Sequence, residues 1–137
     1  MSRGAVASGA ICLSAVALAA CGGSSGGTTS STQASTPAVE KNGKLAIAAD
    51  PNGDLAYTTN TATATAGRIT VSMTNMSGEP HNVAIQKGTN GPVLAATADA
   101  SSGTSSITLT LKPGTYTFFC QVPGHRASGM YGTLTVR

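Results

Sequence analysis

The chain of 137 residues has no tryptophan and only two phenylalanines and three tyrosines, so no large aromatic core is available. Charged residues make up 9% of it, and they form no run of either sign. A nucleic-acid surface or a membrane held by basic clusters is therefore not expected. The few acids, among them Asp50, Asp54, Glu79 and Asp99, are scattered, which removes a carboxylate cage for a hard cation. Histidine occurs twice, as His81 and His125, and cysteine three times. No methionine-rich or histidine-rich cluster is present, and no stretch repeats itself. No convincing helical period appears, and the one apolar run near the N-terminus is too short to span a bilayer.

That apolar run, Ala10 to Ala20, follows Arg3 and ends in Leu18-Ala19-Ala20-Cys21. Small residues ahead of a cysteine mark a processing site, so residues 1–20 read as a secretory signal peptide. The tetrapeptide resembles a bacterial lipobox, which implies that Cys21 is lipidated and becomes the new N-terminus; non-lipidated cleavage nearby is the alternative. Gly22 follows the cysteine where an aspartate would signal inner-membrane retention. Residues 21–40 then read as the lipidated cysteine and a Gly/Ser/Thr tether, too poor in apolar side chains to offset its ordering entropy. About sixteen such residues reach roughly 20–25 Å from end to end. An exported domain, anchored to the outer face of the cytoplasmic membrane or the periplasmic side of a membrane, is the expectation.

Residues 41–137 are expected to form one β-domain, with its apolar start close to Ala38. Leu45, Ile47 and Ala49 alternate with polar or small residues, and so do Ile69, Val71 and Met73. The same period of two runs through Val83 and Ile85, Ile107 to Leu111, Tyr116 and Phe118, and Leu134 and Val136. Turns are expected at Asn75–Gly78, Lys87–Pro92 and Lys112–Gly114. Frequent turns between short strands predict an all-β sandwich or Greek-key barrel. Residues 90–102 fit an edge strand, a loop or a short helix.

Cys12 leaves with the signal and Cys21 with the lipid, so Cys120 stands without a disulfide partner in an oxidising compartment. A buried inert thiol is one explanation and metal ligation the better one. Cys120, His125 and Met130 follow one another at five-residue intervals ahead of the last strand-like run. His81 opens an earlier run in phase with Val83 and Ile85, and Cys120 closes one in phase with Tyr116 and Phe118. If those runs lie antiparallel, the imidazole and the thiol meet at one pole. A thioether is a poor fourth ligand for structural zinc. Two imidazoles, a thiolate and a distant thioether suit one copper ion cycling between Cu(I) and Cu(II).

At these residues the chain resembles the cupredoxins, the type 1 blue copper family. The resemblance rests on Gly78-Glu-Pro-His81-Asn82-Val83, Gly114-Thr-Tyr-Thr-Phe-Phe-Cys120, Pro123-Gly-His125 and Gly129-Met130-Tyr-Gly132, and spans about residues 44–137. It implies a Greek-key β-sandwich of about eight strands with His81, Cys120 and His125 as equatorial copper ligands and Met130 as the weak axial one. Asn82 would donate its backbone amide to the thiolate and brace the ligand loop with its side chain. Four residues separate Cys120 from His125, where plastocyanin has two, a spacing closer to auracyanin-like members. Val122 keeps an amide hydrogen, which predicts a second backbone hydrogen bond to sulfur and a raised reduction potential.

The resemblance implies a one-electron carrier, not an enzyme. No further histidine is available for a second copper centre, and Gly124 stands where a binuclear site needs a cysteine. A copper storage or delivery lipoprotein and a metal-free binding sandwich are the rivals. Docking of redox proteins at the membrane is expected on a weakly charged surface around His125 formed by Val122, Pro123 and Ala127; a monomer is expected.

Overall fold

A computed structural model describes residues 35–137. The signal peptide, the lipobox with Cys21 and most of the tether lie outside the described residues. Nine strands form two sheets, and no helix occurs among the described residues. In chain order they are β1 (Ala38–Val39), β2 (Lys44–Ala48), β3 (Thr61–Ala64), β4 (Gly67–Asn75), β5 (Ala84–Lys87), β6 (Val93–Ala96), β7 (Gly103–Leu111), β8 (Gly114–Phe119) and β9 (Tyr131–Val136). One sheet has the order β1-β3-β9-β8-β5-β6, the other β2-β4-β7. The sandwich anticipated from alternation is there, with one more strand than the resemblance implied.

Alternation explains how the sheets face each other. Leu45 and Ile47 on β2, Ile69, Val71 and Met73 on β4, and Leu134 and Val136 on β9 all point into one apolar cluster. Their neighbours on the three-stranded sheet, such as Ala46, Thr108 and Thr110, point to solvent. Ile107 and Leu109 of the edge strand β7 are only half-buried, whereas Leu45 and Ile47 of the opposite edge strand β2 are fully buried. Gly132 leaves room for the ring of Phe118: a Cβ there would stand 2.2 Å from Cζ of that ring.

Three short elements escaped the alternation pattern. Ala38–Val39, inside the segment expected to be tether, pairs in parallel with β3. The Glu40 amide then donates to Thr63 O (2.8 Å), and the Glu40 carboxylate accepts from the amides of Gly43 and Thr65. Those donors hold that carboxyl below the usual carboxylate range. Residues 61–64 are small and polar, so their strand depends on β9 beside them. The ambiguous segment 90–102 contains β6, an edge strand paired with β5 across a register shift at Ile85/Gln86.

Candidate metal centre

The site forms where β5 begins and β8 ends. These strands are antiparallel, with Ala84 opposite Phe119 and Ile85 opposite Phe118. The residue before one strand and the residue after the other therefore share a pole. The expectation that His81 opens a strand needs correction, because β5 starts at Ala84. Proline at position 80 and the bend before it end regular pairing there. His81 is fixed instead by an isolated two-way bridge: its amide donates to Ala100 O (3.1 Å), and the Ala100 amide donates to His81 O (3.0 Å).

His81, Cys120 and His125 bring one ligand atom each to within 4.8 Å of one another. The two imidazole Nδ1 atoms are 3.1 Å apart, and Cys120 Sγ lies 3.5 Å from Nδ1 of His125. Two ring nitrogens facing each other at that distance cannot both carry a proton. A first-row metal in a trigonal plane, with nitrogens at roughly 2.0–2.1 Å and sulfur at about 2.3 Å, spaces those atoms by about 3.5–3.8 Å. The two edges at His125 are a few tenths of an ångström shorter and the third lies within 4.8 Å, so the triangle is close to the size that a metal needs.

The site is dry on the His81 side. His81 is fully buried, as is Met130, while Cys120 is 1% exposed and His125 half-buried. Burial, then the neighbouring His125 ring, lowers the His81 pKa; Glu79 pulls weakly the other way. The ring is thereby kept neutral and able to offer a lone pair. Its Nε2 has no hydrogen-bond partner among the described residues. The loop that carries the other two ligands closes on itself: Met130 N donates to His125 O (3.0 Å), and Cys120 N to Met130 O (3.1 Å). The 120–130 segment is thus a ring of chain tied at its neck.

Asn82 spans the two halves. Its Oδ1 accepts from the Gln121 amide (2.8 Å), and its Nδ2 donates to Gln121 Oε1 (3.3 Å). Two positioning residues were not singled out from the sequence. The Tyr57 hydroxyl donates to Asn82 O (2.5 Å), and its ring lies 5.5 Å from that of Phe118. Burial, with Cys120 nearby, pushes the Tyr57 pKa far up and keeps the hydroxyl a donor. Asn75, fully buried, donates from Nδ2 to Glu79 O and Ala100 O (2.6 Å each) and accepts from the amide and hydroxyl of Ser77. The sequence marks Asn75 only as a turn residue; Ser77 two positions on is the available sign of an Asx-turn. Tyr57 gives a weaker sign, as a lone aromatic ahead of the polar run Thr58-Thr59-Asn60.

The family described as copper binding proteins of the plastocyanin/azurin family matches residues 44–137. The chain belongs to this family. Auracyanin from Roseiflexus castenholzii is similar over 72% of this cupredoxin chain and 99% of that one, with 32% identity and a TM-score of 0.64. Auracyanin A from Chloroflexus aurantiacus, titled a "blue" copper protein, shows 26% identity and a TM-score of 0.58 over 74% of this chain and 100% of its own. Rusticyanin from Acidithiobacillus ferrooxidans is 38% identical over 52 residues, which span about a third (34%) of each chain.

Copper is thus the metal of this cupredoxin, and His81, Cys120, His125 and Met130 are the donor set that fits it. The donor chemistry agrees with the geometry. A soft thiolate with two imidazoles and a thioether suits both copper oxidation states better than it suits zinc or a hard cation.

Proposed function

We propose that the protein carries single electrons between redox proteins at a membrane, on the extracytoplasmic side, while lipidated Cys21 and the Gly/Ser/Thr tether hold it there. The convergence of His81, Cys120 and His125 on one buried point carries this reading. Bound copper supplies the one-electron couple. The chain's residues supply the frame: the Asn75 and Asn82 hydrogen bonds fix the ligands from both sides, so little rearranges when the charge changes. Phe118, fully buried two residues before Cys120, helps to exclude water from the thiolate, while Tyr116 closes the far end of the core with its hydroxyl on Lys112 O.

Docking is assigned to the surface beside the half-buried His125. Pro123 and Ala127 are exposed there and Val122 is half-buried. They border an open hollow of about 670 Å³ that reaches Cys120. Among the described residues Cys120 Sγ meets His125 Nδ1 and accepts from neither expected amide; amides of Asn82 and Val122 that turn to the thiolate in the copper-loaded protein would favour Cu(I) and raise the potential. A high-resolution structure of the copper-loaded protein with only one such donor would overturn that point.

Adding Cu(II) to the untagged protein tests the function. An intense blue thiolate-to-copper band, lost in Cys120→Ser, supports the electron carrier. Tight Cu(I) binding without colour would indicate copper storage or delivery instead. Electron transfer to the native partner should fall in Val122→Asp and Ala127→Asp; unchanged rates would refute the docking surface. Cys21→Ser should move the protein from the membrane fraction to the soluble one, and failure to do so would refute the anchor.

A further inference from the structure

Arg126 follows His125 in the chain, yet its side chain turns back across the sheet. Its guanidinium lies over the ring of Phe119, with Cζ 4.1 Å from the ring centroid. Nη1 donates to Gln86 Oε1 and Nη2 to Thr89 O, each at 3.0 Å. Gln86 is itself fixed, its Nε2 donating to Gly91 O (2.6 Å). The cation is thus pinned to β8, β5 and the β5–β6 turn by contacts that are all neutral. A guanidinium has five N–H donors, and these two bonds leave others for a partner.

This charge borders the hollow that reaches Cys120. The other side chains lining that hollow, including Val122, Pro123, Ala127 and Tyr131, carry no charge. An apolar centre with a charged rim is the layout of a protein interface. An arginine already held in one rotamer loses little further entropy when a carboxylate arrives, and its planar fork suits that carboxylate.

We propose that Arg126 and the adjoining hollow form a docking surface for an acidic redox protein, one that sets a carboxylate on Arg126 while an apolar contact fills the hollow beside Cys120. This rests on the reading of the site as an electron port. A second copy of this chain is a poor occupant: a two-fold contact through the hollow would bring Arg126 toward its own copy, with like charges facing.

The full chain, loaded with copper and oxidised, is reduced by two one-electron reagents of opposite charge in stopped flow. Anionic Fe(II)–EDTA and cationic hexaammineruthenium(II) each give one electron to Cu(II), which becomes Cu(I). At low ionic strength Arg126→Gln should slow the anionic reagent about fivefold and quicken the cationic one, as loss of a unit charge near the port requires. Both changes should vanish at high salt. Lys112→Gln removes one charge at the opposite end of β8 and should leave both rates within about twofold. Poly-L-glutamate should slow Fe(II)–EDTA in the parent protein more than in Arg126→Gln.

Equal changes with both reagents, accompanied by an altered blue band or potential, would make Arg126 a purely structural brace and overturn the proposal. Rates unaffected by the substitution, or equal inhibition by poly-L-glutamate, would overturn it too. A parent protein that never turns blue would instead refute the electron-port reading, so the two failures are distinguishable.

Discussion

The two sheets share one core, but they are built to different specifications. In the three-stranded sheet every second side chain faces water, and that outer face is mostly threonine, serine and alanine beside Lys44 and Arg68, with Thr70–Thr108 and Thr74–Thr104 hydroxyl pairs at 3.0 and 3.2 Å. In the six-stranded sheet, β5 and β8 are covered on both faces. Residues His81 to Gln86 and Tyr116 to Cys120 are all buried, the outer ones beneath cover such as Arg126 on Phe119. The doubly covered strands carry the metal ligands at their ends. The singly covered sheet closes the core and reaches the site only through Asn75 at the end of β4. Rigidity is thus concentrated where a ligand must not move between oxidation states.

Substitutions should reproduce this division. The largest effect belongs at the shared core: Phe118→Ala should destabilise the fold by about 3–5 kcal/mol in urea titrations. Asn75→Ala comes next, at about 2–4 kcal/mol, since Glu79 O and Ala100 O each lose a buried donor. It should also speed loss of copper to a chelator, because Ala100 holds His81. Tyr57→Phe keeps the ring and removes one hydrogen bond, at a cost of about 1–1.5 kcal/mol. Its blue band or potential should shift, which loss of packing alone would not cause.

Acid should act in the same direction. The unfolded chain binds a proton at His81 more readily than the folded one, whose pKa there is lowered. The metal-free protein should therefore lose stability as pH falls through the ordinary imidazole range, about 6.5, toward the folded value. Thermal melts at neutral and mildly acidic pH, with His81→Gln as the comparison, would show it. Smallest of all, Thr108→Val on the open sheet face should stay within about 0.5 kcal/mol. A large loss there would break the distinction between the sheets.

The parts legible in the sequence were those with a periodic or chemical signal. Alternation placed Leu45, Val71, Phe118 and Leu134 inward, and parity put Cys120 in phase with the core. The scarcity of histidine made His81 and His125 a pair before any fold was known. The hidden parts depend on distant partners. β3 is a strand because β9 and β1 flank it, and His81 owes its place to Ala100, which no local pattern announces. Tyr57 and Asn75 act through single long-range hydrogen bonds to backbone carbonyls, and a period of two says nothing about those.

The position of β9 has a consequence in time. This strand comes last of the nine, yet it runs between β3 and β8, in the interior of its sheet. Until residues 131–136 emerge from whatever machine is delivering the chain, β3 and β8 have no common neighbour and the loop from Cys120 to Met130 has no far anchor. A chain delivered only to residue 130 already carries all four ligands, but its larger sheet is left in two parts, β1-β3 and β8-β5-β6, so the frame around those ligands is incomplete.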